Sequence, residues 1–268
     1  MHMPTSKPKK VAVIFLNKPN LDELSLKFLV LSLNKVQQCF EFEFPEIDEY
    51  PMAKKDYVDA GIALLDFSKV VEERKFDSDC FIGIVAGSIG KNWFWGCAGK
   101  FAVITTEDWK KRFAPPSVQE YLIHSIVSVL IIMSDQSETI KSHHPTRGCC
   151  LDYTVLKEED RADIALGYIC SDCKSRIREK IGEIYLECFE KINSMGWLGE
   201  VSEKGTLAYD LKKYFRIDLD KDTGFYKTRR EKAKDYLTTL SKEVTSIALG
   251  TIVGAFIGFV IGWLFGKG

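Results

Sequence analysis

Apolar and polar positions alternate along the chain in blocks that predict short strands separated by amphipathic helices. Lys10–Leu16 is a continuous apolar run and reads as a buried strand. From Leu21 to Phe40 the apolar residues return at helical spacing, with Leu24, Phe28, Leu31 and Val36 on roughly one side. Phe40-Glu-Phe-Glu-Phe44 alternates strictly, the pattern of a half-buried strand, and Pro45 ends it. Lys55–Arg74 is helical again, through Val58, Ile62, Leu65 and Val70. Cys80–Ala86 and Phe101–Thr105 are short apolar runs that predict two further buried strands. Pro115-Pro116-Ser117 then punctuates the chain and opens a helix through Met133. Lys174–Met195 predicts a last amphipathic helix, with Ile177, Ile181, Ile184 and Ile192 apolar. The order strand, helix, strand, helix, strand, strand, helix implies an α/β layer: a mixed-sheet domain with helices packed on it, its strands too apolar to lie open on both faces.

The end of the chain follows a different pattern. Val244–Phe265 is an uncharged apolar run of 22 residues. As a helix it measures roughly 33 Å, enough to cross a hydrocarbon core of about 30 Å. Gly250, Gly254, Gly258 and Gly262 stand four apart, with Gly266 continuing the row, so a helix carries them on one stripe. In water each glycine costs a helix about 1 kcal/mol relative to alanine. In lipid, small residues at this spacing let two helices approach closely. The expectation is one C-terminal transmembrane helix that self-associates into a homo-oligomer, a glycine zipper.

Charge sets the expected orientation. Five basic residues lie in Lys227–Lys234 and Lys242 follows, whereas only Lys267 lies beyond the apolar run. Positive charge favours the cytoplasmic flank, which predicts a tail-anchored, single-pass membrane protein with its N-terminal domain cytoplasmic. The first residues contain no apolar stretch long enough for a signal peptide. A net charge of -1 argues against a nucleic-acid partner. The basic segment before the helix suits anionic headgroups instead. In that compartment the eight cysteines are expected as thiols or metal ligands rather than disulfides.

Their spacing points to metal. Ser142-His-His-Pro-Thr-Arg-Gly-Cys-Cys-Leu-Asp-Tyr153 precedes Cys170-Ser-Asp-Cys173 by about twenty residues. A CxxC pair with an upstream thiolate suits tetrahedral zinc, because the two-residue spacing turns both sulfurs inward on one knuckle. Cys170 and Cys173 are the firmest ligands. Cys150 is the third, with Cys149 as its alternative, and the fourth comes from His144 or His143. The leading set is therefore His144, Cys150, Cys170 and Cys173. Three sulfurs and an imidazole close the coordination shell, so the zinc is expected to be structural, clamping the Lys174–Met195 helix to the His143–Asp152 loop. Asp218–Gly224 and Gly87–Lys91 match neither a calcium loop nor a phosphate loop in full.

Over roughly residues 10–195 the chain resembles the archaemetzincin-type zinc peptidases. The likeness rests on the element order, on Asp79-Cys-Phe-Ile-Gly-Ile-Val-Ala86 followed by Phe101-Ala-Val-Ile-Thr-Thr106, on the helix after Pro115-Pro116, and on the late cysteines ending in CxxC. The family's helix bears HExxHxxGxxH, which holds catalytic zinc. Here the matching helix reads Glu120-Tyr-Leu-Ile-His-Ser-Ile-Val-Ser-Val-Leu130, and HExxH occurs nowhere in the sequence. The resemblance thus implies a peptidase-like scaffold, with a second, structural metal site surviving in the cysteines and a groove for a protein or peptide partner. His124 reads as a helix residue rather than a ligand.

These readings divide the chain into a peptidase-like α/β domain with its zinc-stapled helical part (1–196), a linker with the basic segment (197–243) and the membrane helix (244–265). The functional expectation is a membrane-anchored sensor or interaction domain without catalytic residues. In its stronger form, assembly of the helices disrupts the membrane, as in an antiviral defence effector. The alternative is a membrane-tethered zinc-dependent hydrolase or peptidase with an unusual centre. It would use His143, His144 and Asp152 for metal, or Cys149 as nucleophile with His144 as base.

Overall fold

Period-two patterning in the N-terminal half produces a five-stranded sheet that is covered on both faces. The structure, a computed structural model, describes residues 7–18, 22–47, 49–52, 57, 59–90, 93–107, 116–154 and 159–219. The basic segment 227–234, the apolar run 244–265 and its glycines Gly250, Gly254, Gly258 and Gly262 lie outside the described residues. Among the described residues, no helix is long and apolar enough to cross a membrane.

The order is β1 (Lys9–Phe15), α1 (Glu23–Val36), β2 (Phe40–Glu43), α2 (Ala60–Arg74), β3 (Cys80–Val85), β4 (Trp95–Ala98), β5 (Phe101–Thr105) and α3 (Val118–Ser134). The strands lie in the order β2-β1-β3-β5-β4. The first four of these are parallel neighbours, and β4 runs antiparallel along β5. The sheet is thus mixed, as the element order implies. β4 is an addition to it: Trp95-Gly-Cys-Ala98 is too short and too poor in β-branched residues to read as a strand from sequence.

Alternation then divides the core. Val11, Val13, Phe15, Ile82, Ile84 and Ile104 face the layer containing α1 and α3. Ala12, Ile14, Leu16, Phe81, Val85 and Val103 face the layer with Ala63, Phe67 and Val71 of α2. Both helices turn a different side inward from the one their spacing suggests. In α1, Leu26, Leu29, Val30 and Leu33 are buried while Leu24 is 67% exposed. In α2, Ala60, Ala63, Phe67 and Val71 are buried while Leu65 is 57% exposed. Each helix carries two apolar rows at helical spacing. For α2 the closeness of β4 favours the row that starts at Ala60: a Cβ on Gly96 of β4 would lie 2.7 Å from Ala60 Cβ, so the helix enters with a small residue there.

Helix α3 is the centre of the larger layer. Its start is fixed by a capping box, in which Ser117 Oγ accepts the Glu120 N–H at 3.2 Å and Glu120 Oε2 accepts the Ser117 N–H at 2.6 Å. Fourteen of its 17 residues are buried, which makes it a core helix without a solvent face.

The C-terminal half wraps this helix with α4 (Asp160–Leu166), α5 (Ser171–Lys180), α6 (Glu183–Asn193), a 3₁₀ turn (Gly196–Leu198) and α7 (Leu207–Phe215). The single helix expected over Lys174–Met195 is two helices. Gly182, at φ 118°, separates α5 from α6 in a conformation that L side chains rarely adopt. Residues 197–219, read from sequence as the start of a linker, belong to the folded core: Leu198 and Leu211 are buried in it, and Phe215 of α7 lies 5.2 Å from Phe28 of α1.

Candidate metal centre

Two chain segments meet below α3. The first, His143–Asp152, doubles back on itself: the His143 N–H donates to the Leu151 carbonyl at 2.9 Å and the Tyr153 N–H to the His143 carbonyl at 2.9 Å. The second enters α5 from Tyr168, whose carbonyl accepts the Cys150 N–H at 2.8 Å. Two glycines permit this approach. Gly148, at φ +76°, makes the turn before Cys149, and Gly167, at φ +54°, lies where a Cβ would stand 2.2 Å from the Asn193 carbonyl oxygen. Ser128 ties the arrangement to α3, its hydroxyl donating to the Cys150 carbonyl at 2.7 Å.

At this junction His143, Cys149, Cys170 and Cys173 each offer one donor atom, and these atoms lie within 4.8 Å of one another. Cys170 and Cys173 are where the CxxC spacing predicts. At the other two positions the structure brings in the alternatives, His143 and Cys149, in place of His144 and Cys150. His144 is exposed, its ring meeting Tyr153 edge-on at 5.1 Å, and His143 takes the inner position with Nε2 3.5 Å from Cys170 Sγ. Cys150 is buried beside the cluster, and Cys149 supplies the cluster's third sulfur. The reason is extended backbone, in which adjacent side chains point to opposite sides. His143 and Cys149 both form bridge pairs, with Asp152 and Tyr168 respectively, so the backbone there has strand geometry.

The surrounding polar groups prepare these atoms for a cation. The Cys149 thiol is held far below its usual range by the Cys150 and Cys173 thiols, with backbone N–H groups of Cys170 and Leu151 adding to the effect. The Cys170 N–H lies 3.3 Å from its sulfur. Cys150 is pushed up by the neighbouring Cys149 and by burial. Asp152 orders the loop: its Oδ2 accepts the Arg147 N–H at 2.5 Å and the Cys149 N–H at 2.9 Å. Its Oδ1 faces His143 Nδ1 at 3.2 Å, and neither atom has another hydrogen-bond partner. A carboxylate on Nδ1 leaves Nε2 as the coordinating nitrogen, the usual outer arrangement of a zinc histidine. At the surface, Arg147 pairs with Asp172, joining the loop to the first turn of α5.

Donor set, burial and outer contacts therefore fit zinc. Three sulfurs and one imidazole are a complete tetrahedral set, and the chemistry zinc would supply here is cross-linking of the loop to α5.

No protein-family model and no curated protein matches this sequence. Among solved structures the fold is similar to that of archaemetzincin from Methanopyrus kandleri, with a TM-score of 0.42 and 14% identity, covering 68% of this chain and all of that one. The likeness is distant and concerns the fold alone. The metal chemistry rests on the residues above.

Helix α3 carries little of that chemistry. His124 is 1% exposed, burial pushes its imidazole down to about 4, and its Nδ1 has no hydrogen-bond partner. It is a neutral core histidine at ordinary pH. Sequence reasoning overlooks a different group: Asp160 and Asp163, both buried at the start of α4. Burial, with Asp163 beside it, pushes Asp160 up to about 8. Burial, with Asp152 and Cys149 nearby, pushes Asp163 up to about 7. Nothing in Glu158-Glu159-Asp160-Arg161-Ala162-Asp163 separates these two from solvated acids. Their depth is a tertiary fact.

Proposed function

We propose that this chain is a membrane-anchored interaction domain whose folded part is stapled by one structural zinc on His143, Cys149, Cys170 and Cys173. The observation that carries the reading is the complete His/Cys₃ donor set, its three sulfurs buried and its histidine half-buried with Asp152 behind it. A complete shell leaves no position for a substrate water. The hydrolase alternative draws on His143 and Asp152, which the cluster already uses as ligand and orienting group. The domain reads a protein or peptide partner from the cytoplasmic side. The 244–265 segment inserts in the bilayer and self-associates through Gly250, Gly254, Gly258 and Gly262, which supports oligomer-dependent disruption of the membrane as the output.

The test uses the full chain purified in detergent without added metal. Mass spectrometry of the metal content is expected to find about one zinc per chain, and chelation is expected to unfold the domain by circular dichroism. A zinc that can be removed and restored on a folded domain would overturn the structural reading and favour the hydrolase. Reconstituted in anionic vesicles, the chain is expected to cross-link as an oligomer and release dye. The Gly254→Leu/Gly258→Leu variant should do neither. Equal cross-linking by both proteins would remove the zipper from the proposal.

A further inference from the structure

A second pair of cysteines meets away from the metal centre. Cys39 lies in the turn between α1 and β2, and Cys188 lies on α6, about 150 residues later in the sequence. Both are buried near the surface, at 6% and 5% exposure. Cys39 Sγ donates to the Ile184 carbonyl at 3.4 Å, and Ile184 and Cys188 stand one turn apart on the same face of α6, which sets the two thiols side by side, each shifting the other's titration. The turn that carries Cys39 is held by one side chain. Gln37 Oε1 accepts the N–H groups of Cys39 at 2.6 Å and Phe40 at 2.8 Å, while its Nε2 donates to the Phe40 carbonyl at 2.8 Å. The Cys39 thiol is therefore presented to α6 by a fixed backbone.

The two sulfurs are unequal. The Cys39 thiol beside it, with the main-chain amides of the Gln38–Cys39 turn, lowers the Cys188 thiol to about 6. Cys39 is held high by Cys188 and by burial. This is the asymmetry of a dithiol with an attacking and a resolving member. A metal is the poorer explanation. Among the described residues, His143, Cys149, Cys170 and Cys173 form the one group of three or more metal donors that lie close together, and two sulfurs alone do not complete a zinc shell.

We propose that Cys39 and Cys188 are a peroxide-sensitive pair that closes to a disulfide and fastens α6 to the α1–β2 corner. The Cys188 thiolate attacks one oxygen of hydrogen peroxide, the O–O bond breaks and water leaves after protonation, giving a sulfenic acid on Cys188. The Cys39 sulfur then attacks that sulfur, the S–S bond forms, the S–O bond breaks and a second water leaves with the Cys39 proton. In sum, two thiols and one peroxide give one disulfide and two waters. Helix α6 continues from α5, on which Cys173 sits, through the Gly182 joint. The disulfide thus locks the metal-bearing unit to the sheet by a bond that does not involve the metal.

The test treats the zinc-loaded full chain in detergent at neutral pH with about one equivalent of hydrogen peroxide, then alkylates remaining thiols and maps the digest by mass spectrometry. The expected result is a Cys39–Cys188 linked peptide two hydrogens lighter than its separate thiols, a loss of two free thiols per chain, and reversal by dithiothreitol. In the Cys39→Ser variant a dimedone adduct is expected on Cys188. The mapping of the unsubstituted chain stands even where that variant fails to fold. Full alkylation of Cys39 and Cys188 after peroxide would overturn the proposal. So would oxidation falling first on Cys149, Cys170 or Cys173 with release of zinc.

Discussion

At the start of α5, three cysteines and a histidine converge within 4.8 Å; on the next helix, at Cys188, two cysteines meet alone. Both groups tie the α5–α6 unit to the rest of the domain, and in both one thiol is pushed below its usual range. In each, a neighbouring thiol and main-chain N–H groups do this, around Cys149 in the first and around Cys188 in the second. What separates them is the number of donors and what stands behind them. Four converging donors, with Asp152 fixing the imidazole, make a shell that a cation completes. Two donors with no further ligand leave a dithiol, whose available chemistry is oxidation. The local environment of a thiolate does not by itself say which it is; the count of partners does.

The largest effect should come from removing a metal sulfur. Cys170→Ser or Cys149→Ser is expected to lower zinc from about one per chain to near zero and to destabilise the domain by about 4 kcal/mol or more, read by metal analysis and thermal unfolding. The neighbouring substitutions sharpen this. Cys150→Ser and His144→Ala should keep zinc, and His144→Ala should unfold within about 0.5 kcal/mol of the unsubstituted protein because its ring is at the surface. Zinc loss in His144→Ala with retention in His143→Ala would reverse the ligand assignment.

Next in size is Asp152→Ala, which removes the orienting carboxylate without touching a ligand. Zinc affinity, measured by competition with a chromogenic chelator, is expected to fall by about 10–100-fold. An unchanged affinity would mean that the 3.2 Å approach of Asp152 to His143 has no part in holding the metal.

The pH dependence sets the acids of α4 against the cluster. Asp160 rises from an ordinary carboxylate value to about 8 in the folded protein. Its folded state therefore holds a proton that the unfolded chain has released between about pH 4 and pH 8. Its contribution to stability is present at the acid end of this window and is lost as pH rises through 8. Metal binding to thiolates runs the other way and strengthens as pH rises. Asp160→Asn should accordingly lose less stability than the unsubstituted protein between pH 6 and pH 8.5, by on the order of 1 kcal/mol per pH unit. Parallel unfolding curves over that range would mean the buried acid is charged in the folded state.

The smallest effect belongs to the thiol pair under reducing conditions. Cys39→Ser is expected to leave zinc content unchanged and to cost about 1 kcal/mol, the scale of one buried hydrogen bond. A loss of zinc in this variant would show that the two cysteine groups are one structural unit.

Much of this architecture was legible in the chain. The continuous apolar run Lys10–Leu16 reappears as a strand buried on both faces of the sheet, and Ser117 with Glu120 caps α3 where the Pro-Pro-Ser signal begins it. The inward sides of α1 and α2 were not legible, because each helix has two apolar rows and the neighbouring elements select one. Nor was the burial of Asp160 and Asp163, which depends on α4 packing against α3.

By itself the sequence determined that strands and helices alternate, that Cys170 and Cys173 turn together, and that the final apolar run differs in kind from the rest. These are local properties, carried by spacing along one segment. Only the tertiary structure decided that His143 and Cys149, rather than His144 and Cys150, face those two sulfurs, and that Cys39 meets Cys188. Adjacent residues on extended backbone point to opposite sides, and which side becomes the interior is set by what packs there.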